Sequence, residues 1–337
     1  MSTQTTSPEV APVKKAGAWR ARLDQLMALI GLLVIFIVFS IADPQVFPTY
    51  STITRILFST VVVGVLALGA TLVIITGGID LSVGTGMTQC AVMGATFIVN
   101  WHLPIWLGIL MTIVFGGLIG LVNGANVAIL GLPPFIATLA MMMVAQGLAL
   151  GVSHAAPIYF DTTAHASFMG LSTGSIIPGS GFPNAVLVLL VAAVIAHVLL
   201  NKTLLGRYDI SIGSNEEATK LSGINTRKWT MVIYAVAGLF TGLGGIMISA
   251  RLGSAQPATG AGYELQAIAA VVIGGTSLSG GKGTIVGTII GALIISVINN
   301  GLQILSMPQE WQNVILGLVI LVVVFIDQLR NRRAATN

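Results

Sequence analysis

The sequence predicts an all-α polytopic membrane protein: about ten transmembrane helices, glycine-interrupted half-helices and an internal repeat. Three observations predict it. Hydrophobic residues make up 55% of the 337, charged residues only 8%, and the mean hydropathy is +0.94. A soluble domain carries roughly 25% charged residues, so so few charges cannot cover a water-facing surface and lipid must be the main solvent. Apolar windows able to span roughly 30 Å of hydrocarbon recur at 26–42, 56–76, 84–100, 105–130, 134–152, 184–200, 229–250, 264–276, 284–305 and 310–327. The third and eighth are short or interrupted by glycine.

The third observation is where the basic residues fall. With ten spans and a cytoplasmic N-terminus, the cytoplasmic pieces are 1–25, 202–228, the turn around Lys282, and 328–337. They hold Lys14, Lys15, Arg20, Arg22, Lys202, Arg207, Lys220, Arg227, Lys228, Lys282, Arg330, Arg332 and Arg333, which is 13 of the 15 basic residues. Only Arg55 and Arg251 lie elsewhere. The positive-inside rule then places both termini in the cytoplasm. The domain plan is a cytoplasmic tail 1–25, a transmembrane domain 26–327 with a cytoplasmic segment 202–228, and a cytoplasmic tail 328–337. The first 18 residues are rich in Ser, Thr and Pro and are expected to be disordered. Residues 153–183, with Pro157, Pro178 and Pro183, form the longest periplasmic connection.

The internal repeat rests on Gly77–Gly86 (GGIDLSVGTG) and Gly274–Gly283 (GGTSLSGGKG), which share six of ten positions. Each interrupts a hydrophobic segment, and matched broken segments in two halves point to a transporter's binding region. The span count makes the two copies parallel; one miscounted half-helix would make them inverted. Two glycine ladders, Gly116/Gly120/Gly124 and Gly283/Gly287/Gly291, are spaced by four and read as close helix packing.

Several function classes are excluded. The net charge of +4 is not gathered into a nucleic-acid-binding patch. His102, His154, His165 and His197 lack metal-ligand spacing, and no nucleophile–base set is present, so no metal, cofactor or catalytic residue is expected. Gly281-Lys282-Gly283 imitates a phosphate loop, but Thr276 and Gly283 stand where that pattern needs Gly and Ser or Thr. Any nucleotide-driven work must come from another polypeptide. The single cysteine, Cys90, leaves no disulfide within the chain.

Within 202–228 a short helix is expected from Asn215 to Ser222, capped by Asn215 and stopped by Gly223, with Glu216 and Glu217 at its positive end. It reads either as a knob for a partner's groove or as a solvated loop. In the apolar stretches, Asp80 is read as a helix cap, a cavity-lining acid or a group at the cytoplasmic face. Glu264 sits at a span start and reads either as a cavity-lining acid or as a group stabilised there by the helix dipole. Asn123, Thr138, Gln146, Gln266, Asn299 and Asn300 suit a sugar's hydroxyls, although for any one of them a hydrogen bond between helices is the favoured reading. Ser82 and Ser279, in the echoed segments, are the remaining translocation candidates.

From the second span to the last, the chain resembles the ribose-type permeases of bacterial ABC sugar importers. The motifs are ITGGIDLSVG (75–84), PFIATLAMM (134–142), LLGRY (204–208), GSNEEATKLSGI (213–224), the run 250–294 and NNGL (299–302). The resemblance implies an inner-membrane homodimer, two cytoplasmic ATP-binding subunits beneath it and a periplasmic sugar-binding protein above. Glu217-Ala218-Thr219 followed by Gly223 looks like the family's ATPase-coupling motif, with Thr219 replacing a second Ala at what reads as a helix surface. It also implies that the first helix is retained, although Leu26–Ala42 after four basic residues imitates a signal peptide. Ribose, xylose, galactose, allose and inositol systems share these motifs. The alternative is an autonomous carrier coupled to protons or sodium, which needs ionisable residues deep in the spans beyond Asp80 and His197.

Overall fold

The computed structural model describes residues 16–176 and 181–335. Its helices are α1 (Ala16–Ala42), α2 (Tyr50–Ile75), α3 (Val83–Ala95, prolonged by a π turn Thr96–Asn100), α4 (Ile105–Ala128), α5 (Pro134–Val152), α6 (Ala166–Thr173) and α7 (Asn184–Lys202). They continue as α8 (Leu204–Ser214), α9 (Glu216–Leu221), α10 (Thr226–Leu252), α11 (Tyr263–Ile273), α12 (Ile285–Ile304) and α13 (Gln309–Ala335). Two two-residue strands, β1 (Ile158–Tyr159) and β2 (Ser254–Ala255), pair antiparallel.

Each of the ten apolar windows carries a helix, but among the described residues seven helices are long and apolar enough to cross a membrane: α1, α2, α4, α5, α7, α10 and α12. At about 1.5 Å per residue, the 11 residues of α11 fall well short of a bilayer core. α1 begins at Ala16, so residues 16–18, expected to be disordered, are helical, and residues 1–15 lie outside the described residues. Pro178 also lies outside them. The connection 153–183 carries β1 and α6, and the segment 202–228 carries α8, none of which the sequence reading anticipated.

Apolarity alone does not separate lipid-facing from buried helices here. The apolar windows of α2 and α4 have hydropathies of 2.5 and 2.4, yet α2 is 89% buried and α4 22%. Packing is decided by small residues. Gly116, Gly120 and Gly124 of α4 lie against Gly238, Gly242, Tyr234 and Met231 of α10, so closely that a β-carbon there would strike the opposite backbone. Gly287 and Gly291 of α12 meet Gly274 and Ala270 in the same way. The α4 ladder and the Gly287/Gly291 pair are therefore packing seams, whereas Gly283 lies before α12 starts at Ile285 and faces the Ile75 and Thr276 side chains instead. The central helix α2 is pinned to α12 by a buried Thr71–Thr288 hydroxyl hydrogen bond of 2.7 Å.

Four separate pieces meet at one end of the bundle. Gln25 of α1 donates from Nε2 to Thr284 Oγ1 (3.2 Å), the Gly281 amide donates to the Ile75 carbonyl at the end of α2 (2.8 Å), and Gly213 of α8 packs on both Ile75 and Gly281.

Candidate functional site

The two echoed segments begin alike. After α2, the Gly77 amide donates to Ile74 O and the Gly78 amide to Val73 O; after α11, Gly275 donates to Val272 O and Thr276 to Val271 O. Gly77 and Gly275 have φ of +84° and +88°, the left-handed stop that a glycine enters at least cost. The match in space is shifted by one residue from the match in sequence. Further on, the Ser82 amide donates to Asp80 Oδ1 (2.8 Å) and the Ser279 amide to Ser277 Oγ (3.3 Å), now in the sequence register.

Four of the nine translocation candidates then converge. Ser82 Oγ donates to Asp80 Oδ1 (2.6 Å), Asn123 Nδ2 donates to Ser82 Oγ (2.8 Å) and reaches Asp80 Oδ2 at 3.5 Å. Thr138 Oγ1 accepts from the Leu81 amide and lies 3.1 Å from the Ile79 carbonyl. All four are buried, Asp80 at 7% exposure, so Asp80 is not at a water-facing surface. Its carboxylate organises the loop that leads into α3. Tyr234, which the sequence reading passed over, closes this knot from α10, its hydroxyl seated over Gly78 with no hydrogen-bond partner among the described residues.

The other five candidates lie apart. Gln146 Nε2 donates to the Pro257 carbonyl (3.0 Å), and Asn299 Nδ2 to Gln266 Oε1 (3.2 Å), all three side chains half-buried. Asn300 is buried and donates to Ser59 Oγ (2.7 Å) and to Ser296 O. Ser279 is exposed. Glu264 bends back to accept from the Gly262 amide (3.0 Å), and its second oxygen is buried against Gly84.

The short helix α9 starts and stops where its sequence says. Asn215 Oδ1 accepts from the Ala218 amide (2.9 Å), and Gly223, at φ +83°, lets its own amide and that of Ile224 return to Lys220 O and Thr219 O. Glu216 pairs with Lys220 (2.7 Å) and accepts from Thr226 Oγ1 (3.1 Å). Thr219 is buried rather than at the helix surface, with its hydroxyl on Asn215 O, so it seats the helix on the protein. Glu217 and Ala218 face out, and so does Leu221, which is 86% exposed. Leu221 was missed because a leucine in an amphipathic stretch reads as core. Asp209 was missed too: it is fully buried in α8 with no hydrogen-bond partner for either carboxylate oxygen among the described residues. Its spacing from Leu205 and Ile212, four and three residues, could have placed it on the apolar face. Burial pushes its carboxyl well above the usual carboxylate range.

A glycine-seamed bundle with seven described helices long and apolar enough to cross a membrane has the architecture of a polytopic membrane protein. Residues 52–324 match the family described as the branched-chain amino acid transport system / permease component. The chain is 40% identical over 328 residues to the ribose import permease protein of Escherichia coli (strain K12), covering 97% of this chain and 99% of that one. It is 40% identical to the ribose import permease protein of Bacillus subtilis (strain 168), covering 92% and 94%. It is 35% identical to the fructose import permease protein of Rhizobium meliloti, covering 91% and 86%. The chain belongs to this permease family. No solved structure matches it. An autonomous ion-coupled carrier is not favoured, because the matched relatives are permease components of transport systems.

Proposed function

We propose that this chain is the membrane subunit of an ATP-driven importer for ribose or a similar monosaccharide. It works as a homodimer, with an ATP-binding subunit on the cytoplasmic side and a periplasmic sugar-binding protein opposite. The family description alone extends to amino acids; near full-length identity to two ribose permeases favours the sugar. The observation that carries the coupling reading is α9: a helix of six residues, capped at both ends, that presents Glu217, Ala218 and Leu221 to solvent. Rigid presentation of a lone exposed leucine suits an apolar pocket on a partner. Asn215, Glu216, Thr219 and Gly223 hold the helix in shape for that contact.

The ten-span plan places both termini in the cytoplasm. In support, Gln25, Ile75, Gly213 and Gly281, which belong to pieces assigned to that side or flanking it, lie at one end of the fold. The echoed segments form the internal repeat, and each supports one half of the translocation region. Among the polar candidates, Gln146, Gln266, Asn299 and Ser279 retain exposure and can offer both donors and acceptors to sugar hydroxyls. Asp80, Ser82, Asn123, Thr138 and Asn300 hold the scaffold around them.

The test co-expresses the chain with its ATPase and measures co-purification and sugar uptake. Glu217→Lys and Leu221→Asp are expected to insert normally, lose most of the ATPase and abolish uptake. Full co-purification and uptake in both would sink the docking assignment. Reporter fusions after residues 210 and 335 are expected to read cytoplasmic and one at 165 periplasmic. A periplasmic signal from 210 would overturn the topology.

A further inference from the structure

The two echoed segments and the coupling segment touch at a single joint made of backbone. Gly213 is in the last turn of α8, two residues before the cap of α9. A β-carbon at Gly213 would overlap the Ile75 carbonyl oxygen at the end of α2 and stand 2.6 Å from the Gly281 amide nitrogen. Across the joint, a β-carbon at Gly280 would stand 2.8 Å from Gly213 O, 3.0 Å from the Gly77 nitrogen and 3.0 Å from Ile75 O. Gly280 and Gly281 have φ of +81° and +74°, which lets the turn present its amide inward, where Gly281 N–H donates to Ile75 O at 2.8 Å. A β-carbon at Gly281 would meet Ser214 Oγ at 2.5 Å, and that hydroxyl donates to Ile210 O at 2.7 Å.

We infer that Gly213, Gly280 and Gly281 form a rigid joint through which displacement of α9 reaches the ends of both echoed segments. The inference rests on the reading of α9 as the docking helix. Side chains between two elements absorb small movements by changing rotamer; backbone packed on backbone and tied by a hydrogen bond cannot. A shift of α9 must therefore move α8's last turn, and with it Ile75–Gly77 and the 280–281 turn, as one body. Gly213 is a positioning residue: it touches no sugar and no nucleotide, and it sets where the echoed segments stand for each position of α9.

The experiment uses the whole importer in proteoliposomes, with permease, ATPase subunit and sugar-loaded binding protein. Gly213→Ala is expected to keep ATPase co-purification and basal ATP hydrolysis. Its hydrolysis stimulated by the loaded binding protein and its uptake should both fall roughly tenfold. Because the added methyl presses on backbone, a pair at the exposed Ser214 provides an independent reading. Ser214→Ala should behave as the unsubstituted protein, and Ser214→Phe, wedged against Gly281, should uncouple as Gly213→Ala does. Wild-type uptake and stimulation in Ser214→Phe, or in an inserted Gly213→Ala protein, would overturn the joint. Failure of the docking reading looks different: the ATPase would remain bound and active with Leu221→Asp.

Discussion

The knot around Asp80 and the helix α9 are both small polar devices placed beside a helix end, and they face opposite ways. In the knot, Asp80, Ser82, Asn123 and Thr138, all of them buried, direct their hydrogen bonds to one another and to nearby backbone, with Asn123 Oδ1 left without a partner among the described residues. In α9, the bonds hold the shape of the helix while Glu217, Ala218 and Leu221 are left outside. A polar group in an apolar stretch is thus not by itself a substrate contact. What matters is whether the donors and acceptors are already used. Changes in the knot should cost folding, and changes on the outer face of α9 should cost partnership.

The largest effect expected is on the knot. Asp80→Ala removes the acceptor of the Ser82 amide and hydroxyl, while Asn123 keeps its bond to Ser82 Oγ. Leaving buried donors without partners costs about 1–3 kcal/mol each, so a loss of about 3 kcal/mol is expected. It is read as a lowered melting temperature in detergent and less protein in the membrane, with co-purifying ATPase reduced only in proportion. Normal melting with lost uptake would move Asp80 from scaffold to pathway.

Asp209 sharpens the contrast, since it is buried in α8 without the partners that Asp80 has. Its carboxyl titrates well above the usual carboxylate range because burial disfavours the charge. The folded state therefore holds its proton more tightly than the unfolded state. This contribution to stability is complete below the ordinary carboxylate pKa and is lost as pH rises towards the raised value. Asp209→Leu removes an unpartnered polar group from the interior, a gain of about 1–3 kcal/mol, and should flatten the decline of melting temperature as pH rises above the ordinary carboxylate range. An unchanged pH profile would mean that Asp209 finds a partner in the assembled importer.

Gly223 comes next. Nothing lies within 4 Å of where its β-carbon would be, so only its φ of +83° resists substitution. Gly223→Val is expected to cost about 1 kcal/mol at the helix stop, leave overall melting nearly unchanged and weaken ATPase retention and uptake. Gly223→Asn, which tolerates the left-handed region better, should retain more of both. Equal loss in the two variants would point to a surface contact at position 223 instead.

Much of this was legible in the residues. The caps of α9 were, because Asn215 and Gly223 act within a few residues of themselves. The α4 glycine ladder was, because spacing by four on an apolar helix has few other uses; Gly283 of the second ladder was not, because it precedes the helix. The burial of α2 was not: in lipid an apolar helix has no reason to show which face meets protein. Nor was the fate of Thr219, which occupies a position that reads as surface and is buried because α9 lies back on the start of α10 through Thr226. The nine polar candidates separated only once their partners were known, since an amide's hydrogen bonds are made between helices far apart in sequence, as with Asn123 and Ser82.

The smallest effect expected concerns the Glu216–Lys220 pair, whose side chains are 52% and 54% exposed. The hydrogen bond from Lys220 lowers the Glu216 carboxyl below its ordinary value, burial works against that, and Thr226 and the charge of Lys220 add to the lowering. With the folded value depressed, the contribution is fully present above the ordinary glutamate pKa and fades as pH falls through the folded value. Solvent and salt screen so exposed a pair, so Lys220→Gln should cost only a few tenths of a kcal/mol. Thr226 still donates to Glu216 in that variant and Asn215 still caps the helix. ATPase retention is therefore expected to match the unsubstituted protein near neutral pH, and the small stability difference between the two is expected to vanish as pH falls through the lowered Glu216 value. A large loss of retention in Lys220→Gln would show that Lys220 itself meets the partner, and that the charged face of α9 belongs to the contact alongside Leu221.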